Sequence, residues 1–163
     1  MGYNWRQTFW YAPEKAIYAL HGRSGYLFRF NPRVPRVDVL DRLSSEPSKR
    51  SGMYDSFAYG YLGFALGPDG RTVYYLTTGP IREALESAGG NGENRGPRED
   101  RHLVTYDIPT GKYEDHGAIF LEDGQRPTLV QSIALTKDRT VYTLASFRRN
   151  GHAITDLIRI RVK

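Results

Sequence analysis

One short pattern occurs three times in this chain, at residues 15–20, 71–76 and 139–144. Each copy has a basic residue, a small residue, a β-branched residue, Tyr, a variable position and Leu. β-Branched and aromatic side chains favour strands, and successive side chains of a strand point to opposite faces of the sheet. The repeat therefore predicts three equivalent strands in three copies of one structural unit.

Turn residues and further apolar runs flank each copy of the pattern. A turn sequence precedes each copy, and strand-like runs follow at residues 26–30, 36–40, 102–106, 112–120 and 157–160. An apolar run, a turn and a second apolar run are typical of antiparallel hairpins. The sequence thus contains eleven candidate strands, in groups of four, four and three.

Sheets of four strands cannot bury both faces alone, so we expect the units to stack on one another. The predicted fold class is all-β, a partial β-propeller of about three four-stranded antiparallel meander blades. We expect residues 1–163 to form one domain of this type, with blade 1 at about 10–43, blade 2 at about 57–121 and blade 3 at about 128–163. Residues 3–8 are either the missing fourth strand of blade 3 or a frayed end.

Two turn sequences carry a resemblance to known proteins: LGPDGRTVY at residues 66–74 and LVTYDIPTGK at residues 103–112. They resemble blade turns of bacterial β-propellers of the gluconolactonase-like, streptogramin-lyase-like and quinoprotein-like kind. The resemblance spans residues 10–163 and implies the propeller fold. It identifies no catalytic residue, because no catalytic motif of these families matches this sequence.

Three blades are fewer than a propeller ring needs, since such rings close with four to eight. We therefore expect the chain to be a piece of a longer protein, or two copies to complete a ring as a homodimer. No apolar run approaches the roughly 18 residues of a membrane helix, and the N-terminus shows no apolar signal segment. A soluble chain without a membrane partner is expected, and its compartment stays open.

The predicted topology places the long loops on one face of the domain and the tight turns on the other. The long loops are residues 21–25, 44–56, 78–101, 122–128 and 146–155. Binding sites usually lie where long loops gather on a rigid scaffold. The candidate binding residues on this face are His21, Arg23, Tyr54, Asp55, His102, Asp123, Gln125, Arg126, Arg149 and His152.

Histidine, arginine and carboxylate side chains on one face suit several kinds of ligand. Arg binds a sugar carboxylate in a bidentate manner, and His with carboxylates ligates metal or serves as acid and base. A divalent metal held by His21, His102 and His152 is a minor alternative to surface or blade-packing roles for these residues. His116 lies within an outer strand and is expected to be structural.

Two functions remain open from the sequence. The first is a scaffold that binds a small-molecule or carbohydrate ligand, or a protein partner, through its long-loop face. The alternative is part of a hydrolase or lyase that acts on a sugar, lactone or polyuronide. The sequence has no nucleophile elbow, phosphate loop or HExxH motif, and it has no Cys that would serve as nucleophile. Nucleic acid is an unlikely partner, because the net charge of +5 is not accompanied by an aromatic and basic binding motif.

Overall fold

The computed structural model describes residues 7–21, 24–51, 63–80 and 99–162. Its strands form three antiparallel sheets. Sheet 1 contains β1 (Thr8–Tyr11), β2 (Ala16–Leu20), β3 (Tyr26–Asn31) and β4 (Arg36–Arg42). Sheet 2 contains β5 (Phe64–Leu66), β6 (Thr72–Pro80), β7 (Glu99–Asp107) and β8 (Lys112–Ala118). Sheet 3 contains β9 (Leu129–Leu135), β10 (Val141–Arg149) and β11 (His152–Ile160).

In every sheet the strands follow one another in space as they do along the chain. Each sheet is therefore a meander, and the predicted grouping of four, four and three strands is confirmed. The fold is all-β and has the sheet arrangement of a partial β-propeller. A 3₁₀ turn (Ala12–Glu14) joins β1 to β2, and α1 (Glu46–Ser51) follows sheet 1.

The sheets stack face to face through two apolar clusters. The first cluster joins sheet 1 to sheet 2 and includes Tyr18 and Leu20 from one side and Val73 and Tyr75 from the other. The second joins sheet 2 to sheet 3 and includes Tyr74, Leu76, Leu103, Val141 and Phe147. Neighbouring residues of β6 thus enter different clusters, as the alternation of side chains along a strand requires.

The predicted loop at residues 146–155 is wrong. β10 continues to Arg149 and β11 begins at His152, so the two strands form a tight hairpin. Asn150 and Gly151 occupy its turn with φ angles of 51° and 79°. Two successive positive φ angles match the right-handed twist of a two-residue hairpin, which Asn-Gly favours.

The connector after sheet 1 also differs from the predicted loop, because it contains α1. The side chain of Ser45 accepts a hydrogen bond from the backbone N–H of Ser48 at 3.3 Å and so caps the helix. Of the segment 3–8, Thr8 pairs with Ala19 in sheet 1, and residues 3–6 lie outside the described residues. None of the helices in the described ranges is long and apolar enough to cross a membrane.

Candidate functional site

A polar groove runs between sheet 2 and sheet 3, on the side of the tight turns. Its main cavity has a volume of about 780 Å³. A second cavity of about 620 Å³ shares Glu114, His116, Arg161 and Val162 with the first. We call the main cavity the junction groove; its charged and polar lining includes Arg71, Thr105, Asp107, Lys112, Glu114, His116, Asp138, Arg139, Thr140 and Arg161.

One wall of the junction groove is an ion pair that joins β7 to the turn before β6. Asp107 accepts hydrogen bonds from Nε and Nη2 of Arg71 at 2.6 and 2.9 Å. These bonds from Arg71, with those from Thr110, hold the pKa of Asp107 far below the usual aspartate value. Both charges are thereby engaged, so this pair shapes the groove and leaves ligand contacts to its neighbours.

Two other guanidinium groups of the groove have more freedom to bind a ligand. Arg139 lies in the β9–β10 turn with a φ of 66°, and its side chain is 62% exposed. Among the described residues, its nearest carboxylate oxygen is Asp69 Oδ2, at 3.7 Å from Nη2. Arg161 follows β11, is exposed, and makes no hydrogen bond or ion pair with any residue that the structure describes.

His116 lines the groove from the outer strand of sheet 2. Its Nε2 lies 2.8 Å from Thr105 Oγ1, and its Nδ1 lies 4.0 Å from Glu114 Oε1. The three side chains share one face because Thr105 and Glu114 are cross-strand partners and His116 is two positions further along β8. A hydroxyl, an imidazole and a carboxylate therefore meet at the groove wall.

The candidates that the sequence placed on the long-loop face occupy different environments. Arg23, Tyr54 and Asp55 lie outside the described residues. His21 Nδ1 lies 2.6 Å from Ser24 Oγ, and His21 borders a small apolar cavity on sheet 1. Arg149 and His152 flank the β10–β11 turn and are exposed.

The connector between sheets 2 and 3 brings three candidates together. Arg126 Nη1 lies 3.1 Å from Asp100 Oδ1, and its guanidinium lies 5.2 Å from the ring of Phe120. Asp123 accepts a hydrogen bond from the backbone N–H of Gln125 at 2.9 Å, and Gln125 Nε2 donates to the carbonyl of Arg148 at 2.6 Å. These contacts fix the connector against both sheets.

His102 is buried and faces the carboxylate of Asp115. The side chains are 8% and 5% exposed, and His102 Nδ1 lies 3.0 Å from Asp115 Oδ1. No set of three or more His, Asp or Glu side chains that suits a metal ion occurs in the described ranges. His21, His102 and His152 accordingly do not share one metal-ligating group there.

Sequence reasoning did not single out Arg139, Arg161 or Lys112 as site residues. In the sequence Arg139 is the basic first residue of the third repeat, and a repeat position by itself does not indicate a site. Arg161 belongs to an alternating apolar and basic run, which indicates an exposed strand edge. Only the stacking of sheets 2 and 3 brings these cations to one groove.

Comparisons with known proteins identify no family for this chain. No protein-family model matches this chain, and no curated protein is similar to it. Among solved structures, the chain resembles a protein from Bacteroides fragilis that is provisionally named a 6-phosphogluconolactonase, with 13% identity and a TM-score of 0.42. The match covers 96% of this chain and 39% of that protein, so the chain spans less than half of its length.

Proposed function

We propose that this chain is a binding scaffold whose junction groove holds an anionic, hydroxyl-rich ligand of the acidic-sugar class. The observation that carries the proposal is the pair of guanidinium groups, Arg139 and Arg161, in a groove lined largely by polar side chains. A guanidinium binds a carboxylate through two parallel N–H donors. Arg161 has no partner in the described residues and Arg139 has one distant partner, so ligand binding requires little rearrangement of existing pairs.

The remaining groove residues suit the hydroxyl groups of a sugar. Thr105 and Thr140 offer side-chain hydroxyls, which both donate and accept hydrogen bonds. Glu114 is 51% exposed, and its carboxylate accepts hydrogen bonds from hydroxyl donors. A ligand with one carboxylate and several hydroxyls therefore matches the groove better than an apolar ligand does.

Calorimetric titration with a matched pair of sugars tests the proposal. The probes are an α-1,4-linked galacturonate trisaccharide and the neutral galactose trisaccharide with the same linkage. We expect the acidic sugar to bind and the neutral sugar to bind at least about tenfold more weakly, since a charge-assisted hydrogen bond contributes about 1.5–3 kcal/mol. Equal affinity for both sugars, or no binding of either, contradicts the proposal.

The long-loop face is the competing location for the site, and two variants distinguish it. Arg139→Gln and Arg161→Gln remove the groove cations, whereas Arg33→Gln makes the same change in the exposed β3–β4 turn of sheet 1. Loss of binding in the first two variants alone supports the groove. If all three variants still bind the acidic sugar, the site lies on the long-loop face instead.

A hydrolytic function has one observation in its favour, which is the position of His116. Its ring lies between the Thr105 hydroxyl at 2.8 Å and the Glu114 carboxylate at 4.0 Å, at the wall of the groove. A histidine within reach of a bound substrate acts as a general base toward water or a hydroxyl. Glucono-δ-lactone hydrolysis, followed by acid release, tests this alternative: a rate above buffer that His116→Gln abolishes supports it, and a rate equal to buffer excludes it for this lactone.

A further inference from the structure

The outer face of sheet 1, which points away from sheet 2, is apolar across all four strands. Cross-strand pairing aligns its residues in two rows, Trp10–Ile17–Phe30–Val37 and Thr8–Ala19–Phe28–Val39. Neither row contains a charged side chain. Trp10, Val37 and Val39 are 52%, 51% and 65% exposed, whereas Ala19 and Phe28 of the second row are buried. An apolar face of this extent indicates an interaction surface.

The same face is covered in the other two sheets. In sheet 2 the equivalent rows are Leu66–Val73–Tyr106–Tyr113 and Phe64–Tyr75–Val104–Asp115, and their apolar members pack against sheet 1. In sheet 3 the equivalent residues include Leu135, Val141 and Ile160, which pack against sheet 2. Of the three described sheets, sheet 1 is therefore the one whose face of this kind is not covered by another described sheet.

In sheets 1 and 2, the surface that covers the next sheet contains the Tyr and Leu of the repeated pattern. Its Tyr and Leu point toward the following sheet: Tyr18 and Leu20 cover sheet 2, and Tyr74 and Leu76 pack in the cluster with sheet 3. The third copy places Tyr142 and Leu144 on the face of sheet 3 that points away from sheet 2.

This face of sheet 3 is open and apolar at its centre. Leu144 pairs with Leu157 across β10 and β11, and the two are 43% and 61% exposed. Sheet 3 thus exposes the same Tyr and Leu surface with which sheet 1 covers sheet 2 and sheet 2 covers sheet 3. The exposed parts of the two faces therefore correspond to the two sides of the packing that joins neighbouring sheets within the chain.

We infer that the outer face of sheet 1 binds the Tyr142–Leu144 face of sheet 3 from a second copy of this chain. The contact is head-to-tail, since each copy contributes a different surface. It repeats the packing that already joins sheets 1, 2 and 3 within one copy. Two copies provide six sheets, which is within the four to eight that close a ring. This inference concerns self-association and does not depend on a ligand in the junction groove.

Complementation between two variants tests the head-to-tail contact. Val39→Glu damages the sheet 1 face, and Leu157→Glu damages the sheet 3 face. Each change brings an unpaired carboxylate into the contact, and we expect each variant alone to associate at least about tenfold more weakly than the unchanged protein. A mixture of the two variants retains one intact pair of faces, so we expect it to form a 1:1 complex.

Sedimentation velocity from about 1 to about 100 µM protein gives the readout, because a reversible complex dissociates on dilution. Val34→Glu is the matched control: Val34 is 60% exposed in the β3–β4 turn, outside both rows. Val39 and Leu157 are similarly exposed, so circular dichroism should show that all three variants fold.

Three results overturn the inference. The first is that the unchanged protein stays monomeric at every concentration. The second is that both single variants associate as strongly as the unchanged protein. The third is that the mixture of the two variants stays monomeric. Sugar binding by the Arg161→Gln variant is a separate measurement. A failure of self-association therefore leaves the junction groove proposal intact.

Discussion

His102 Nδ1 contacts both carboxylate oxygens of Asp115, at 3.0 and 3.1 Å, and both side chains are buried. Asp115 also accepts hydrogen bonds from the backbone N–H groups of Glu46 at 2.7 Å and Gly117 at 2.9 Å. An ionised carboxylate only accepts hydrogen bonds, so Nδ1 of His102 is the donor. One carboxylate thus joins β7, β8 and the start of α1.

We expect Asp115→Ala to lower the free energy of unfolding by about 2–4 kcal/mol, because the buried His102 side chain and two backbone N–H groups lose their acceptor. The measurement is equilibrium denaturation with urea. Glu114→Ala is the control on the same strand: Glu114 is 51% exposed, and its loss should change stability by less than about 0.5 kcal/mol. Equal effects of the two variants would show that the buried contacts of Asp115 add nothing.

Acid should weaken the protein through the same carboxylate. Burial alone would raise the pKa of Asp115, but the hydrogen bonds from His102, Glu46 and Gly117 outweigh it, so the pKa lies below the usual 3.8. Its contribution to stability is therefore present above pH 3.8 and is lost as the pH falls through the lower folded-state pKa. We expect Asp115→Asn to show a flatter decline of unfolding free energy below that pH, and parallel curves would contradict this.

Alkali should weaken the protein through Tyr18. Burial, followed by the hydrogen bond to Glu14 at 2.8 Å, raises the pKa of Tyr18 well above the usual 10.0. The unfolded chain then loses this proton first, so the contribution to stability is complete below pH 10.0 and declines as the pH rises toward the folded-state pKa. Tyr18→Phe should decline less steeply above pH 10.0, whereas Tyr26→Phe, at a 44% exposed position, should follow the unchanged protein.

The turn before β6 contains two glycines that should respond differently to substitution. A Cβ on Gly67 would lie 2.7 Å from Cε2 of Tyr74 and 3.0 Å from the carbonyl oxygen of Thr72. We expect Gly67→Ala to cost about 1–3 kcal/mol through this overlap. Gly70 has a φ of 66° and open space around it, so Gly70→Ala should cost about 1 kcal/mol through backbone strain. Thermal denaturation of both variants tests this order, and a larger loss for Gly70→Ala would reverse it.

Salt should separate ligand binding in the junction groove from the apolar contact between copies. The affinity of an acidic sugar should fall as ionic strength rises, because Arg139 and Arg161 are solvent-exposed charges. Arg161→Gln should lower the affinity about tenfold or more and reduce the salt dependence. Calorimetric titrations at low and high salt give both values. Salt-independent affinity would exclude an electrostatic site.

The errors of sequence interpretation have identifiable physical causes. Asn150-Gly151 was a hairpin signal in the sequence, but the polar residues around it favoured a loop. Pro47 likewise favoured a loop, although Pro is accepted in the first turn of a helix and Ser45 is a suitable cap. Both signals involve only two or three residues, and the surrounding polar residues, which are typical of loops, outweighed them.

The sequence alone determined the strands, their grouping and the opposite faces of the repeated Val/Ile-Tyr-x-Leu pattern, because alternation and turn residues act over short distances along the chain. Only the tertiary structure decided which faces are covered. Tyr18 and Tyr142 occupy the same position in the pattern, yet Tyr18 is buried against sheet 2 and Tyr142 points to the open side of sheet 3. The tertiary structure likewise decided that Arg139 and Arg161 share a groove, because contact between residues distant in sequence follows from how the sheets stack.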